Sequence, residues 1–160
     1  GNWLRGENGV TYRFSQADNT LVVASDTPTD PYASWLTNFP SLSGSNAVPT
    51  ADPDGDSFSN QMEFAFGGNP TIGTPALLTA ASQSGNALFS FAADTNTFAY
   101  TVQSTGDLKT GPWTNNTAAT LSISNSTNQA GLVLSNYVRQ AFNVPLTGKS
   151  FYRIEASPLP

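Results

Sequence analysis

The chain contains neither cysteine nor histidine, and charged residues make up only 11% of its 160 positions. Without cysteine there is no disulfide framework and no thiolate metal site. Without histidine the usual general base, the usual zinc ligand and the Ser-His-Asp arrangement are excluded together. A hard cation held by oxygen alone stays open. Basic residues are scarce as well. Six Lys and Arg against eleven Asp and Glu give a formal net charge of −5. The six are scattered and form no stripe able to track phosphates, which argues against a nucleic-acid partner. No apolar run is long enough to span a bilayer, so membrane insertion is not expected. No signal peptide is visible at Gly1, and the chain is expected to be a mature product or a fragment of something larger.

Ser, Thr, Asn, Gly and Pro are abundant, a composition suited to many short strands joined by polar turns. The length fits one domain, or one domain with an appendage, and suffices for a buried core. Poverty in Lys with richness in Thr, Ser and Asn points to an extracellular or cell-surface bacterial β-protein.

Three segments follow one another. In residues 1–27, Val10-Thr-Tyr-Arg-Phe14 and Thr20-Leu-Val-Val-Ala24 flank the turn-forming Ala17-Asp-Asn19 and predict a β-hairpin. Gly6-Glu-Asn-Gly9 is a second turn signal, so residues 2–5 form a further short strand. Two or three strands cannot bury both faces and need a sheet to join.

Residues 28–72 open with a helix start, Asp30 as N-cap and Pro31 at the first helical position. Tyr32, Trp35, Leu36 and Phe39 form one apolar stripe, ended by Pro40. A second stripe, Phe58, Met62, Ala65 and Phe66, ends at Gly67-Gly68. Residues 73–160 read as antiparallel strands over 87–92, 98–104, 119–124, 131–135, 138–144 and 151–156. Alternation is clearest in Phe98, Tyr100, Val102 and in Leu121, Ile123. The predicted fold is therefore mainly β: an antiparallel β-sandwich with a short two-helix calcium-loop insertion and an N-terminal β-hairpin.

The chemistry concentrates between the two helical stripes. Four of the eleven acidic residues lie from Asp52 to Glu63, a density that repels itself unless a cation neutralises it. In a calcium loop Asp52, Asp54 and Asp56 supply oxygens from positions 1, 3 and 5, Phe58 its carbonyl at 7, Asn60 stands at 9, and Glu63 binds in bidentate fashion at 12. An EF-hand requires Gly at position 6, where this chain has Ser57, with Gly55 at position 4, so the turn is expected to be made differently. An acidic turn ahead of a helix N-terminus leaves the alternation and Glu63 unexplained. Extracellular calcium modules bind with dissociation constants on the order of 10⁻⁴ to 10⁻³ M, so seawater-like millimolar calcium would add at most roughly 1 to 2 kcal/mol. Such an ion is structural.

The run from Trp35 to Phe39, Leu42-Ser-Gly44, and Asp52-Pro-Asp-Gly-Asp-Ser-Phe-Ser-Asn-Gln-Met-Glu-Phe-Ala-Phe-Gly-Gly-Asn-Pro70 resembles a segment near the C-termini of large secreted proteins of Verrucomicrobia and Planctomycetes. Its ligand spacing is similar to dockerin and thrombospondin type 3 calcium loops. A weaker likeness continues through Tyr100-Thr-Val-Gln-Ser, Asp107-Leu108, Trp113 and Phe151-Tyr-Arg-Ile154. The resemblance implies a calcium-stabilised extracellular module of unassigned activity.

Trp3, Trp35 and Trp113 raise the question of a carbohydrate platform; Trp35 sits on a helical stripe and reads as core, while Trp113, beside Gly111-Pro112, is the better surface candidate. Outside the acidic loop, the N-terminal segment and the Asp30 cap the acids are Asp94, Asp107 and Glu155, and nothing marks any two of them as a glycosidase pair. No catalytic residue is assigned. Two sequons, Asn115-Asn-Thr117 and Asn125-Ser-Thr127, matter only where the source glycosylates. The expectation is a non-catalytic structural subunit that self-associates, or joins another extracellular protein, through β-strand addition, a route to filaments. The alternative is a carbohydrate-binding or adhesive module for polysaccharide.

Overall fold

A computed structural model of the chain describes residues 3–5, 11–15, 20–24, 30–124, 137–146, 148 and 150–160. The strand expected over 131–135, the sequon at Asn125 and the turns at 6–9 and 17–19 lie outside the described residues. The chain falls into two compact units, Gly1–Asn38 and Phe39–Pro160.

The first unit holds a three-stranded antiparallel sheet in the order β1 (Trp3–Arg5), β2 (Thr11–Ser15), β3 (Thr20–Ala24). Tyr12 stands opposite both Leu4 and Val23. Helix α1 follows at Pro31–Leu36, with the Asp30 side chain accepting from the Tyr32 N–H at 3.0 Å. It stops short of Phe39. The reason is local: Thr37 Oγ1 donates to the Ser34 carbonyl at 2.7 Å and Asn38 Nδ2 to the Trp35 carbonyl at 2.8 Å, so side chains take the acceptors a further turn would use. Trp35 is buried.

The second unit begins with a 3-10 turn at Gly44–Ala47 and helix α2 at Asn60–Phe66. Seven strands follow: β4 (Leu78–Gln83), β5 (Asn86–Ala93), β6 (Phe98–Thr105), β7 (Thr114–Asn115), β8 (Thr120–Ser124), β9 (Val138–Pro145) and β10 (Phe151–Pro158). They form two antiparallel sheets, ordered β4-β5-β9-β8 and β10-β6-β7. The protein is mainly β with few helices. Strands β4 and β7 were not expected from the sequence. Most of β4 is exposed, so it lacks an apolar period, and it is held by a hairpin in which Ser84 (φ 50°) and Gly85 (φ 79°) make a two-residue turn between the paired Gln83 and Asn86.

Strands β5, β6 and β9 supply the buried cluster Phe91, Ala93, Val102, Phe142 and Val144, against which Phe66, Tyr100, Tyr152 and Ile154 pack. Each buried Phe contributes roughly 1.5–3 kcal/mol. The anticipated face of Phe98, Tyr100 and Val102 is inward, whereas Leu121 is 48% exposed. It pairs with buried Phe142, but β8 is the edge of its sheet. No helix among the described residues is long and apolar enough to cross a membrane.

Candidate metal centre

The acidic loop is closed at its base by backbone hydrogen bonds. The Asn60 N–H donates to the Ala51 carbonyl at 2.8 Å and the Gln61 N–H to the Pro49 carbonyl at 2.9 Å, joining the start of α2 to the residues just ahead of Asp52. The Asn60 side chain adds two more ties, its Nδ2 donating to the Asn46 and Val48 carbonyls at 2.8 and 2.9 Å. Ser59 caps α2 through the Met62 N–H.

Within the loop the aspartates order the backbone. Asp52 Oδ1 accepts from the Gly55 and Asp56 N–H groups at 2.9 and 3.2 Å, and Oδ2 from the Ser57 N–H at 3.0 Å. Asp54 Oδ1 accepts from the Asp56 N–H at 3.3 Å and Asp56 Oδ1 from the Phe58 N–H at 2.8 Å. Asp56 Oδ2 takes the Thr74 N–H at 2.6 Å, which ties the loop to the segment leading into β4. Sequence reasoning gave no hint of Thr74.

The left-handed turn falls where a calcium loop has its glycine. Ser57 has φ 78° and Gly55 φ 75°. The expectation of a differently made turn is thus corrected: the residue differs and the sharp bend does not. A non-glycine residue in this region costs roughly 1–2 kcal/mol, which the three hydrogen bonds to Asp52 help to offset.

Carboxylate oxygens of Asp52, Asp54 and Asp56 lie within 4.8 Å of one another. Glu63 is not one of the carboxylates in that cluster, yet it is fully buried. Burial, followed by the charges of Asp54, Asp56 and Asp52, pushes its carboxyl up to about 8. Burial likewise raises Asp54. Asp54 Oδ2, Asn60 Oδ1 and both carboxylate oxygens of Glu63 are buried without a hydrogen-bond partner. Leaving such groups unpaired costs about 1–3 kcal/mol each, more when charged. All four are oxygens, and two of the three residues are anionic when ionised. That donor chemistry suits calcium, which takes six to eight oxygen ligands.

Of the six expected ligand residues, three are gathered, Asp52, Asp54 and Asp56. Asn60 and Glu63 present buried free oxygens on α2, where the sequence stripe had placed Met62 inward; Met62 is instead 44% exposed. The helix turns its polar pair to the interior and its methionine out. Phe58 follows Asp56 by two residues, and its ring lines an apolar groove of about 410 Å³ with Met62, Phe66, Leu78 and Ile154.

No family model, no curated protein and no solved structure matches the chain.

Other candidates are occupied locally. Asp94 accepts from the Asn96 N–H and Thr97 Oγ1, and Glu155 from Gln103 Nε2. The Thr110 hydroxyl and Lys109 N–H hold the Asp107 carboxyl below its ordinary value. Trp113 is half-buried, with the Arg153 guanidinium 4.6 Å from its ring centroid and Arg153 Nε donating to Gln103 Oε1 at 2.8 Å.

Proposed function

We propose that this chain is a non-catalytic, calcium-stabilised structural module of the extracellular space. In this reading the two sheets of residues 39–160 face each other as a β-sandwich, and calcium is held by Asp52, Asp54, Asp56, the Phe58 carbonyl, Asn60 and Glu63. The observation that carries it is the set of buried, unpartnered oxygens of Asp54, Asn60 and Glu63 beside the aspartate triad. A residue core shared by strands of both sheets supports the sandwich. The likeness to C-terminal modules of secreted Verrucomicrobia and Planctomycetes proteins supports the location.

Self-association by strand addition is the assembly that fits this reading. Strands β4 and β10 end their sheets and pair on one side among the described residues. Such edges accept a further strand from a second copy.

Isothermal titration with calcium and melting curves with and without chelator test the metal. A protein that takes up no calcium, with the same melting temperature in chelator, overturns the reading. Sedimentation at increasing concentration in calcium, with electron microscopy, tests assembly; a monomer throughout overturns that part.

A further inference from the structure

Helix α2 carries Asn60 and Glu63, yet at seven residues it is too short to hold its own position. Its last four carbonyls, from Glu63 to Phe66, are those a helix leaves without internal partners. The Glu63 carbonyl accepts from the Gly68 N–H at 2.9 Å, under the left-handed Gly67 cap. The next two are taken by tyrosines from elsewhere in the unit. Tyr137, immediately before β9, donates its hydroxyl to the Phe64 carbonyl, and Tyr100, within β6, donates to the Ala65 carbonyl. Strands β9 and β6 belong to different sheets, so one hydroxyl from each side grips the end of α2.

Both tyrosines are committed to this task. Tyr137 is 2% exposed, and the Tyr100 hydroxyl also accepts the Asp94 N–H at 3.0 Å. Ring contacts hold the helix laterally: Phe64 meets Phe98 edge-on at 5.0 Å and Phe66 meets Phe91 at 5.5 Å. Such apolar contacts tolerate small slides along the helix axis, whereas hydrogen bonds fix it to within a few tenths of an ångström. Metal ligands need that precision, because calcium–oxygen distances span only about 2.3–2.6 Å.

Resting on the metal reading above, we propose that Tyr100 and Tyr137 are positioning residues of the metal centre. Through the Phe64 and Ala65 carbonyls they set where Glu63 and Asn60 stand, and calcium binding and sheet packing are linked by the same bonds. Linkage makes the effect reciprocal: what the hydroxyls add to calcium affinity, calcium returns to the sheets.

The test uses the full chain with Tyr100→Phe, Tyr137→Phe, the double variant, and Tyr152→Phe as control. Tyr152 is half-buried in the same unit and packs its ring on Phe89 at 5.8 Å. Circular dichroism establishes which variants are folded; calcium affinity is then measured by calorimetry, and amide exchange over β6 and β9 with and without calcium. Each single variant removes one hydrogen bond to α2 and is expected to weaken calcium binding about fivefold; Tyr100→Phe also frees the Asp94 N–H, a loss away from α2. Tyr152→Phe should bind as the parent does. Calcium should slow exchange in β6 and β9 of the parent and do so less in the double variant; the single variants decide if the double one does not fold. Folded single variants with the parent's calcium affinity overturn the proposal while leaving the metal reading intact. A parent chain that binds no calcium overturns both.

Discussion

The hydroxyl of Tyr137 donates to the carbonyl of Phe64, the residue directly after the buried Glu63. A carboxylate with no hydrogen-bond partner is thereby carried on a helix whose end is held fast. That hold opposes an outward slide of the helix, and a proton or a cation on Glu63 would relieve the burial. Four consequences can be measured.

In chelator, stability should fall as pH rises. The folded Glu63 carboxyl is raised from 4.5 to about 8, so between those values the native state holds a proton that the unfolded state has lost. Stability present below about pH 4.5 is progressively withdrawn up to about pH 8. Urea unfolding at intervals over this window, with and without calcium, checks it. Calcium should flatten the slope; the same slope in both conditions contradicts the assignment of Glu63.

Glu63→Gln separates the two reliefs. At pH 9 in chelator the amide should be more stable than the parent by on the order of 1–3 kcal/mol, because an unpaired buried charge is gone. In calcium the order should reverse, since the ligand charge is lost. Denaturant midpoints of both proteins under both conditions decide it.

Ser57→Gly should stabilise the chain by about 1 kcal/mol, since glycine adopts φ 78° without the penalty serine bears. The gain should appear with and without calcium. A neutral or harmful substitution would mean that the Ser57 hydroxyl has a role beyond filling the turn.

At Gly68 a Cβ would meet Glu63 Cγ and Leu77 Cδ2, each at 2.8 Å. Gly68→Ala should cost about 1–3 kcal/mol by overpacking. It should also weaken calcium binding, because the atom displaced belongs to Glu63. Parallel melting and titration distinguish this from simple strain, which would lower the melting temperature alone.

Much of this was legible in the sequence. The strands of residues 73–160 alternate where one face is buried and the other is not, as in Phe98, Tyr100 and Val102. Asp30-Pro31 and Gly67 punctuate helices as capping chemistry requires. Alternate acids at 52, 54 and 56 put three carboxylates together because the loop bends between them. What stayed hidden had no period to betray it. Exposed β4 owes its existence to its turn and partner, and Ser84-Gly85 was its only local signal. The stripe through Met62 misled because the inner face of α2 is mixed: Asn60 and Glu63 are buried beside Phe64 and Ala65, so hydrophobicity alone does not mark it. The grips of Tyr100 and Tyr137 span 35 and 73 residues of chain, a separation that no local pattern can report.

The base of the acidic loop is fastened by hydrogen bonds from Asn60 to the Ala51, Asn46 and Val48 carbonyls. Those bonds offset part of the conformational entropy of closing the loop, so a bound ion would not have to supply all of it. A zinc finger waits for its metal to become a structure. On the calcium reading proposed above, the loop's own hydrogen bonds share that work, and an ion would add the neutralisation of its carboxylates.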